Sequence, residues 1–324
     1  MMAPNMKDVA KRAGVGLGTV SRVINTPHKV SPPTRLKVEK AIKELGYYSN
    51  EIARTLKTRN TRNVALVLPS IWHPFFSGFA YYIENYLDEQ NYRLMLCNSD
   101  GKPDKEVYYL EMLKEKKVSG IIAITYNQID DHISSDLPII SFDRHFKDDV
   151  TCVTSDNLKG GEIAAKTLHE TGAKKLAYVG TINNRIDSEV KYRRIGFENY
   201  VKAHGIDHFI YTVEDPIRDY DAFLDTFFKR HNDREGVFVE NDNLAKKLIK
   251  KAETLNIKIP EQLKVIGYDG VEETEFFEPK LTTIKQPLEA MAKASVEALI
   301  RIIETGPKVE RIVLPVELKQ GKST

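Results

Sequence analysis

The chain of 324 residues changes character at Asn63, where short apolar runs begin to alternate with longer helix-type patterns. Runs that are apolar on both faces and separated by helices indicate parallel sheets with crossover helices. A region of about 250 residues with this alternation would hold about ten strands, which is more than one sheet usually contains, so we expect two αβ lobes. The apolar runs lie at 63–69, 92–97, 120–125, 138–142, 175–180, 236–239 and 264–269, and the helix-type patterns at 74–90, 158–171, 188–204 and 242–256.

The segment before this change, KDVAKRAGVGLGTVSRVIN at 7–25, has the layout of a helix-turn-helix. The apolar spacing predicts one helix over 6–13 and a second over 17–25, with Gly14 supplying the turn between them. Two helices held at a fixed angle present the start of the second helix to a DNA major groove. The alternative interpretation is an ordinary helical hairpin that binds nothing.

A third helix is predicted after this hairpin. Ser31 is a good N-cap and Pro32 suits the first helical position. Leu36, Ile42 and Leu45 are expected to give this helix its apolar face. Three short helices then make a small head of about 46 residues, near the lower limit for independent folding.

The segment between the head and the αβ region is short and amphipathic. Residues 50–57 can form two helical turns, which are too short to be stable alone in water and would need a dimer twin or DNA as partner. We therefore expect a DNA-binding domain at 1–49, a hinge helix and linker at 50–62, and a core for effector binding and dimerisation at 63–324.

Charge separates the two parts of the chain. Residues 1–62 carry 13 lysines and arginines against 4 acids, a balance of +9, whereas the whole chain is +2, which leaves −7 for residues 63–324. A basic head is attracted to a phosphate backbone through counterion release. A solvated basic face without a partner would explain the charge, but not its coincidence with the helical hairpin.

Composition excludes several other classes of protein. No apolar stretch of about 18 residues occurs, so we expect no membrane span, and the first residues lack a secretory apolar run, so we expect a cytoplasmic chain. That also disfavours an exported binding protein. Cys97 and Cys152 each lie in an apolar run and are expected to be buried, reduced thiols.

Catalytic motifs are missing from the sequence. It contains no GxSxG, P-loop or HExxH, no GxGxxG after the first apolar run, and its eight histidines have no ligand spacing. We therefore expect no enzyme, no cofactor and no metal site.

Several motifs together resemble the LacI/GalR (lactose repressor) family of transcriptional regulators over the full length of the chain. The head motifs are the more specific ones, whereas the later motifs gain their weight from their order. They are DVAxxAGV at 8–15, TVSRVIN at 19–25, NEIARTL at 50–56, DNxxGG at 156–161, RxxGF at 193–197, NDxxA at 241–245, VIGYD at 265–269 and LTTIxQP at 281–287.

The resemblance implies a homodimer with paired heads on double-stranded operator DNA, and a core like a periplasmic sugar-binding protein. Each lobe would be a doubly wound parallel sheet, the first at about 63–157 and 286–313 and the second at about 158–285 and 314–324. A sugar or sugar phosphate between the lobes would control a repressor of a carbohydrate operon. A phosphocarrier protein as corepressor, or a purine, is the alternative, and whether the effector induces or corepresses is open.

The same resemblance suggests residues that contact DNA. Arg22 matches a base-contacting position, where its fork suits guanine, although a phosphate contact is the alternative. Leu56 matches a leucine that wedges into the minor groove, although a packing role against the core is the alternative. The expected DNA-binding residues are Lys7, Leu17, Gly18, Thr19, Ser21, Arg22, Asn25, Asn50, Ala53 and Leu56.

Effector-binding candidates stand at or just after the ends of apolar runs, or near helix starts, where ligands of open αβ sheets bind. They are Asp143, Arg193, Asn241 and Asp269, whose groups suit sugar hydroxyls. Trp72, Phe75 and Phe76 follow the first run, as an aromatic platform for a sugar ring or as ordinary core. Arg144 is a candidate for a plain salt bridge.

Overall fold

The computed structural model describes residues 4–47, 61–147, 150–231, 233–272 and 276–324, with Asn25 described by its backbone alone. The chain divides into two compact units, a head (residues 1–60) and a core (residues 61–324).

The head contains the three predicted helices, α1 (Met6–Ala13), α2 (Leu17–Asn25) and α3 (Pro32–Leu45). The side-chain oxygen of Asn5 accepts a hydrogen bond from the backbone N–H of Lys7 at 2.8 Å, and the backbone N–H of Asn5 donates to the Asp8 carboxylate at 2.9 Å. This reciprocal cap fixes the start of α1. Gly14 ends the helix with a φ of +65°, a left-handed conformation that glycine adopts without strain.

The buried residues of α3 differ from those that the sequence predicted. Val38 and Ala41 lie in the head's apolar core, whereas Leu36 is 65% exposed. Ile42 and Leu45 are partly buried against that core, as expected. Positions 38, 41, 42 and 45 form one stripe at helical spacing, and Leu36 lies about 200° away from Val38 around the helix axis, so it faces solvent.

The described part of the core contains fourteen strands, seven α-helices and a short 3₁₀ helix at Asp130–His132. The strands are β1 (Asn63–Leu68), β2 (Arg93–Asn98), β3 (Gly120–Ala123), β4 (Ile139–Phe142), β5 (Arg144–His145), β6 (Thr151–Ser155), β7 (Lys175–Ile182), β8 (Asp187–Ser188), β9 (Asp207–Glu214), β10 (Gly236–Val239), β11 (Lys264–Asp269), β12 (Thr282–Lys285), β13 (Arg311–Leu314) and β14 (Glu317–Lys319). The helices are α4 (Pro74–Glu89), α5 (Pro103–Lys114), α6 (Asn157–Glu170), α7 (Lys191–Ala203), α8 (Tyr220–Arg230), α9 (Asp242–Thr254) and α10 (Leu288–Thr305).

Twelve of the strands form two six-stranded sheets, which define a first and a second lobe. The first sheet has the order β13-β6-β4-β3-β1-β2 and is wholly parallel. The second has the order β14-β12-β11-β10-β7-β9 and is parallel except for the edge strand β14. This confirms the expected architecture of two parallel-sheet lobes.

Both faces of each sheet are covered by helices, which is why the strands read as continuous apolar runs. In the first lobe α4 and α10 pack on one face and α5 on the other. In the second lobe α8 and α9 cover one face, and α6 and α7 cover the other. Cys97 and Cys152 are buried free thiols, as predicted. No helix in the described ranges is long and apolar enough to cross a bilayer.

The chain passes between the lobes at three short segments, after β6, after β12 and after β13. A fourth connection is the antiparallel ribbon of β5 with β8, which joins a segment of the first lobe to one of the second. Because parallel strands of each sheet end on the same side, this arrangement creates a cleft where ligands of open αβ sheets bind.

Candidate functional site

A cavity of about 480 Å³ lies between the two lobes of the core. Its walls come from segments that follow strand ends and from the first turns of helices. First-lobe residues in the lining include Phe75, Phe76, Tyr126, Phe142 and Asp143, and second-lobe residues include Thr181, Arg193, Asp215, Glu240, Asn241 and Asp269.

Arg193 is the central charged group of this cavity. It lies on α7, is only 5% exposed, and its guanidinium stacks 3.8 Å from the ring centroid of Tyr268. Nε donates to Asn157 Oδ1 at 2.7 Å, and Nη1 donates to the carbonyl of Glu240 at 2.9 Å. These contacts fix the plane of the guanidinium and stabilise it as a buried cation.

Two carboxylates from different lobes flank this guanidinium. Asp143 Oδ2 lies 3.9 Å from Nη2 of Arg193, and Asp269 Oδ1 lies 3.7 Å from Nη1. Both aspartates have a positive φ, of 54° and 121°, directly after or at the end of a strand. Burial raises the pKa of Asp143 to about 6, although Arg193 and Thr154 lower it. Burial also raises the pKa of Asp269 above its ordinary value.

Glu240 is a further buried carboxylate in the wall, one that the sequence analysis did not select. One of its oxygens accepts the backbone N–H of Thr181, and the Thr181 hydroxyl lies 3.1 Å from Oε1 and 3.0 Å from Oε2. Burial raises the pKa of Glu240 to about 7. It directly precedes Asn241 at the end of β10, so the rule that selected Asn241 would also have found Glu240.

Asn241 combines a structural role with a place in the lining. Its side-chain oxygen accepts the N–H of Leu244 at 2.9 Å and caps α9. The amide N–H₂ is therefore the part of Asn241 that is suited to a ligand. The neighbouring Asp242 is occupied by structure, because its oxygens accept from Gly270 N–H at 2.9 Å and from the Thr283 hydroxyl at 2.6 Å.

Gln286 supplies an acceptor to the cavity. It is 2% exposed and its Nε2 donates to Asp269 Oδ1 at 2.9 Å. Its Oε1 has no hydrogen-bond partner among the described residues. A buried acceptor without a partner costs free energy, so a hydroxyl donor from a ligand would be favourable there. Gln286 belongs to the LTTIxQP motif at 281–287, but nothing in that motif indicates that its side chain is buried.

The aromatic candidates divide between the cavity and the surface. Phe75 and Phe76 line the cavity, and Phe75 also packs in the core, 6.0 Å from the ring of Phe142. Trp72 is 91% exposed and does not line the cavity, so its placement in an aromatic platform was wrong. It lies in the turn before Pro74, where α4 begins, and the following helical turn is what brings the two phenylalanines to the cleft.

Arg144, beside the cavity residue Asp143, forms the salt bridge that the sequence suggested. Its Nη2 donates to Asp130 Oδ2 at 2.7 Å and its Nη1 donates to the Thr125 hydroxyl at 2.7 Å. Arg144 is 2% exposed. It packs inside the first lobe and does not line the cavity.

One cluster outside the cavity brings metal-binding residue types together. His145, Cys152 and Glu189 each place a ligand atom within 4.8 Å of the others. Arg311 already binds both oxygens of Glu189, at 2.7 and 2.9 Å. A guanidinium in that position opposes a cation, so this cluster is an ion-pair network.

The head presents most of the predicted DNA-contact residues on its surface. Lys7, Leu17, Gly18 and Arg22 are exposed, and Thr19 and Ser21 are half-buried. A methyl group at Gly18 would lie 3.9 Å from the Arg22 guanidinium, so these two positions share one face of α2. The side chain of Asn25, and the hinge residues Asn50, Ala53 and Leu56, lie outside the described residues.

The chain is similar to known regulators along its whole length. Residues 5–50 match the bacterial regulatory proteins of the lacI family, and residues 165–324 match the periplasmic binding protein-like domain. The sucrose operon repressor of Streptococcus mutans is 36% identical over 99% of this chain and all of that protein.

Two solved structures extend the comparison to the fold. The transcriptional regulator CelR in complex with cellobiose is 27% identical, covers 99% of this chain and 100% of that one, and has a TM-score of 0.71. The structure of the Lac repressor dimer bound to operator and an anti-inducer covers 100% of this chain and 99% of that one. With 21% identity and a TM-score of 0.85, it shares the fold. With a helix-turn-helix head, two parallel-sheet lobes and an interlobe cavity, this chain belongs to the LacI family of bacterial DNA-binding transcriptional regulators.

Proposed function

We propose that this regulator represses a carbohydrate-utilisation operon and that an uncharged sugar in the interlobe cavity controls its affinity for the operator. The relative from Streptococcus mutans, named a sucrose operon repressor, supports the class of operon because its similarity spans the whole chain. Two copies of the chain act together, so that paired heads bind a palindromic site.

The arrangement of Arg193 between Asp143 and Asp269 carries this proposal. The two carboxylate–guanidinium distances, 3.9 and 3.7 Å, exceed ordinary hydrogen-bond lengths, so these groups keep donors and acceptors for a ligand. Adjacent hydroxyls of a sugar both donate and accept, and so can bridge a carboxylate and a guanidinium at once. The unpartnered oxygen of Gln286 adds one acceptor to this wall.

The charges around the cavity favour an uncharged sugar over a sugar phosphate. Four carboxylates line it, at Asp143, Asp215, Glu240 and Asp269. Besides Arg193, the cations in the lining are Lys191 and Arg194, and both are already paired, since Lys191 binds Asp187 at 2.5 Å and Arg194 binds Glu198. A phosphate would meet nearby carboxylates in a low-dielectric site, where like charges repel strongly.

The size and the aromatic walls of the cavity suit a mono- or disaccharide. Its volume of about 480 Å³ lies within the range of about 300–1,000 Å³ that is typical of small-molecule sites. Phe76, Tyr126 and Tyr220 line it and offer apolar surface to the carbon face of a sugar ring. The disaccharide cellobiose in the similar CelR structure is consistent with this size.

The exposed face of α2 is the proposed contact with DNA. Arg22 is suited to a guanine edge, and Leu17, 44% exposed at the start of α2, is suited to a thymine methyl group. Gly18 carries no side chain and leaves the face open beside Arg22. Lys7, exposed at the start of α1, is the proposed phosphate contact.

A thermal-shift screen of the full chain tests the effector class. The panel contains sucrose, cellobiose, their phosphorylated forms and purines. We expect an uncharged sugar to raise the melting temperature, because a ligand at 100 times its Kd adds about 2.7 kcal/mol of stability. A shift with purines or phosphorylated sugars alone would overturn the proposal.

Matched variants locate the bound sugar. Asp143→Asn removes a cavity carboxylate and should abolish the sugar-dependent shift. Asp225→Asn removes a partly exposed carboxylate on α8 that is paired with Lys251 and does not line the cavity, and it should retain the full shift. Equal shifts in the two variants would place the sugar elsewhere.

A further inference from the structure

A buried carboxylate outside the cavity, Glu189, connects the two lobes. It lies just before α7 in the second lobe and is 1% exposed. Its two oxygens accept from Nε and Nη2 of Arg311 at 2.7 and 2.9 Å, and Arg311 lies on β13 of the first sheet. His145 Nε2, on the segment that follows β4 in the first lobe, is 2.5 Å from Glu189 Oε1.

The backbone around Glu189 is tied to the first lobe as well. The Glu189 N–H donates to the carbonyl of Asp143 at 2.9 Å, and the Ser188 hydroxyl donates to the same carbonyl at 3.2 Å. The short ribbon pairs Arg144 with Ser188 and His145 with Asp187. Glu189 therefore lies between two effector-binding segments, the one that carries Asp143 and the one that leads into α7.

The environment of Glu189 keeps it ionised. Burial raises its pKa, but the hydrogen bonds and charges of Arg311 and His145 outweigh burial, and the net shift is downward. Removal of one partner from a buried ion pair leaves an unpaired buried charge, which is strongly unfavourable. When the lobes move relative to each other, the ion pair of Glu189 with Arg311 must therefore either stay intact or break in a single step.

We propose that Glu189 is a positioning residue, whose ion pair with Arg311 and bond to His145 hold the two lobes at a defined angle and thereby set how strongly sugar binding is coupled to operator binding. Glu189 does not line the cavity and acts on the effector through Asp143 and α7. The inference that Glu189 affects coupling rests on the proposed function. The contacts of Glu189 with Arg311 and His145, here called the interlobe tie, do not depend on it.

The tie can be tested without any sugar by pulsed electron spin resonance. Spin labels on introduced Lys105→Cys and Lys229→Cys report the distance between the lobes, because these exposed positions lie on α5 and α8. The native thiols are buried, and burial raises the pKa of Cys97 to about 11 and of Cys152 to about 12, so they react slowly.

Glu189→Gln and Arg311→Met, each in the labelled chain, should broaden or shift the distance distribution, and the double variant should add nothing further. Arg301→Met is the matched control, since Arg301 forms an ion pair with Glu310 within the first lobe. It should leave the distribution unchanged. Unchanged distributions in Glu189→Gln and Arg311→Met, with circular dichroism like the parent, would overturn the tie.

The coupling is tested by operator release with sucrose as the probe. The ratio of operator Kd values with and without sucrose should change by about fivefold or more in Glu189→Gln, the lower end of typical allosteric couplings, and should not change in Arg301→Met. An unchanged ratio in Glu189→Gln would overturn the coupling. Absence of any sucrose effect in the parent would count against the proposed effector, and the spin-label distances would still decide the tie.

Discussion

Glu240, the buried carboxylate in the cavity wall, should make the stability of the core depend on pH in an unusual direction. Burial raises its folded-state pKa from 4.5 to about 7. Between these values the folded chain holds the proton and the unfolded chain releases it, so the free energy of unfolding falls as pH rises through this window. Since one pKa unit corresponds to about 1.4 kcal/mol, ionised Glu240 costs the folded state about 3 kcal/mol at pH 8.

Glu240→Gln isolates this contribution. Glutamine retains an oxygen that can accept the N–H of Thr181, and it carries no charge at any pH. Urea unfolding of variant and parent at pH 5 and pH 8 measures the effect. From pH 5 to pH 8 the free energy of unfolding of the variant should gain about 2–3 kcal/mol relative to the parent.

The comparison has a matched control in Glu84→Gln, on the exposed face of α4. That variant should differ from the parent by the same small amount at both pH values. A constant difference for Glu240→Gln as well would show that burial does not control the protonation of this carboxyl group.

Three further substitutions test packing and DNA recognition. Gly196→Ala places a methyl group against the carbonyl oxygen of Leu158, where α6 and α7 cross, and should lower stability by about 1–3 kcal/mol in thermal unfolding; an unchanged melting temperature would contradict this close approach. Arg22→Ala should weaken specific operator binding by about 1–3 kcal/mol in fluorescence anisotropy, with less effect on random duplex. Leu56→Ala should likewise weaken specific more than nonspecific binding, and equal losses would argue against a minor-groove wedge.

Much of the fold could be predicted because local patterns determine it. Gly14 allows the left-handed turn after α1, and runs such as 236–239 are apolar on both faces because helices cover both sides of the sheet. The sequence placed Cys152 in an apolar run, but it did not show how the polar residues of that strand, β6 (TCVTS), would be hydrogen-bonded. Its hydroxyls are buried and bonded, with Thr154 Oγ1 donating to Asp143 at 2.5 Å and Thr151 Oγ1 donating to the Lys308 carbonyl at 2.6 Å.

The candidate site was predictable where position along a strand decides it. Asp143 and Asp269 stand at strand ends, and these ends converge at the cleft. Such a rule does not specify the direction of a side chain in a turn. It therefore could not predict that Trp72, in the turn before α4, lies at the surface. The contact of Glu189 with Arg311 joins positions 122 residues apart and depends on the pairing of both sheets, which no local pattern specifies.

Control of operator binding by a sugar is tested most directly by selection of duplexes from a random library, followed by titration of the best site at physiological ionic strength. The proposed function predicts a palindromic site, bound at least about 10³-fold more tightly than random duplex, with an affinity that an uncharged sugar changes in the parent and not in Asp143→Asn. A chain that preferred no palindrome, with or without sugars, would contradict it.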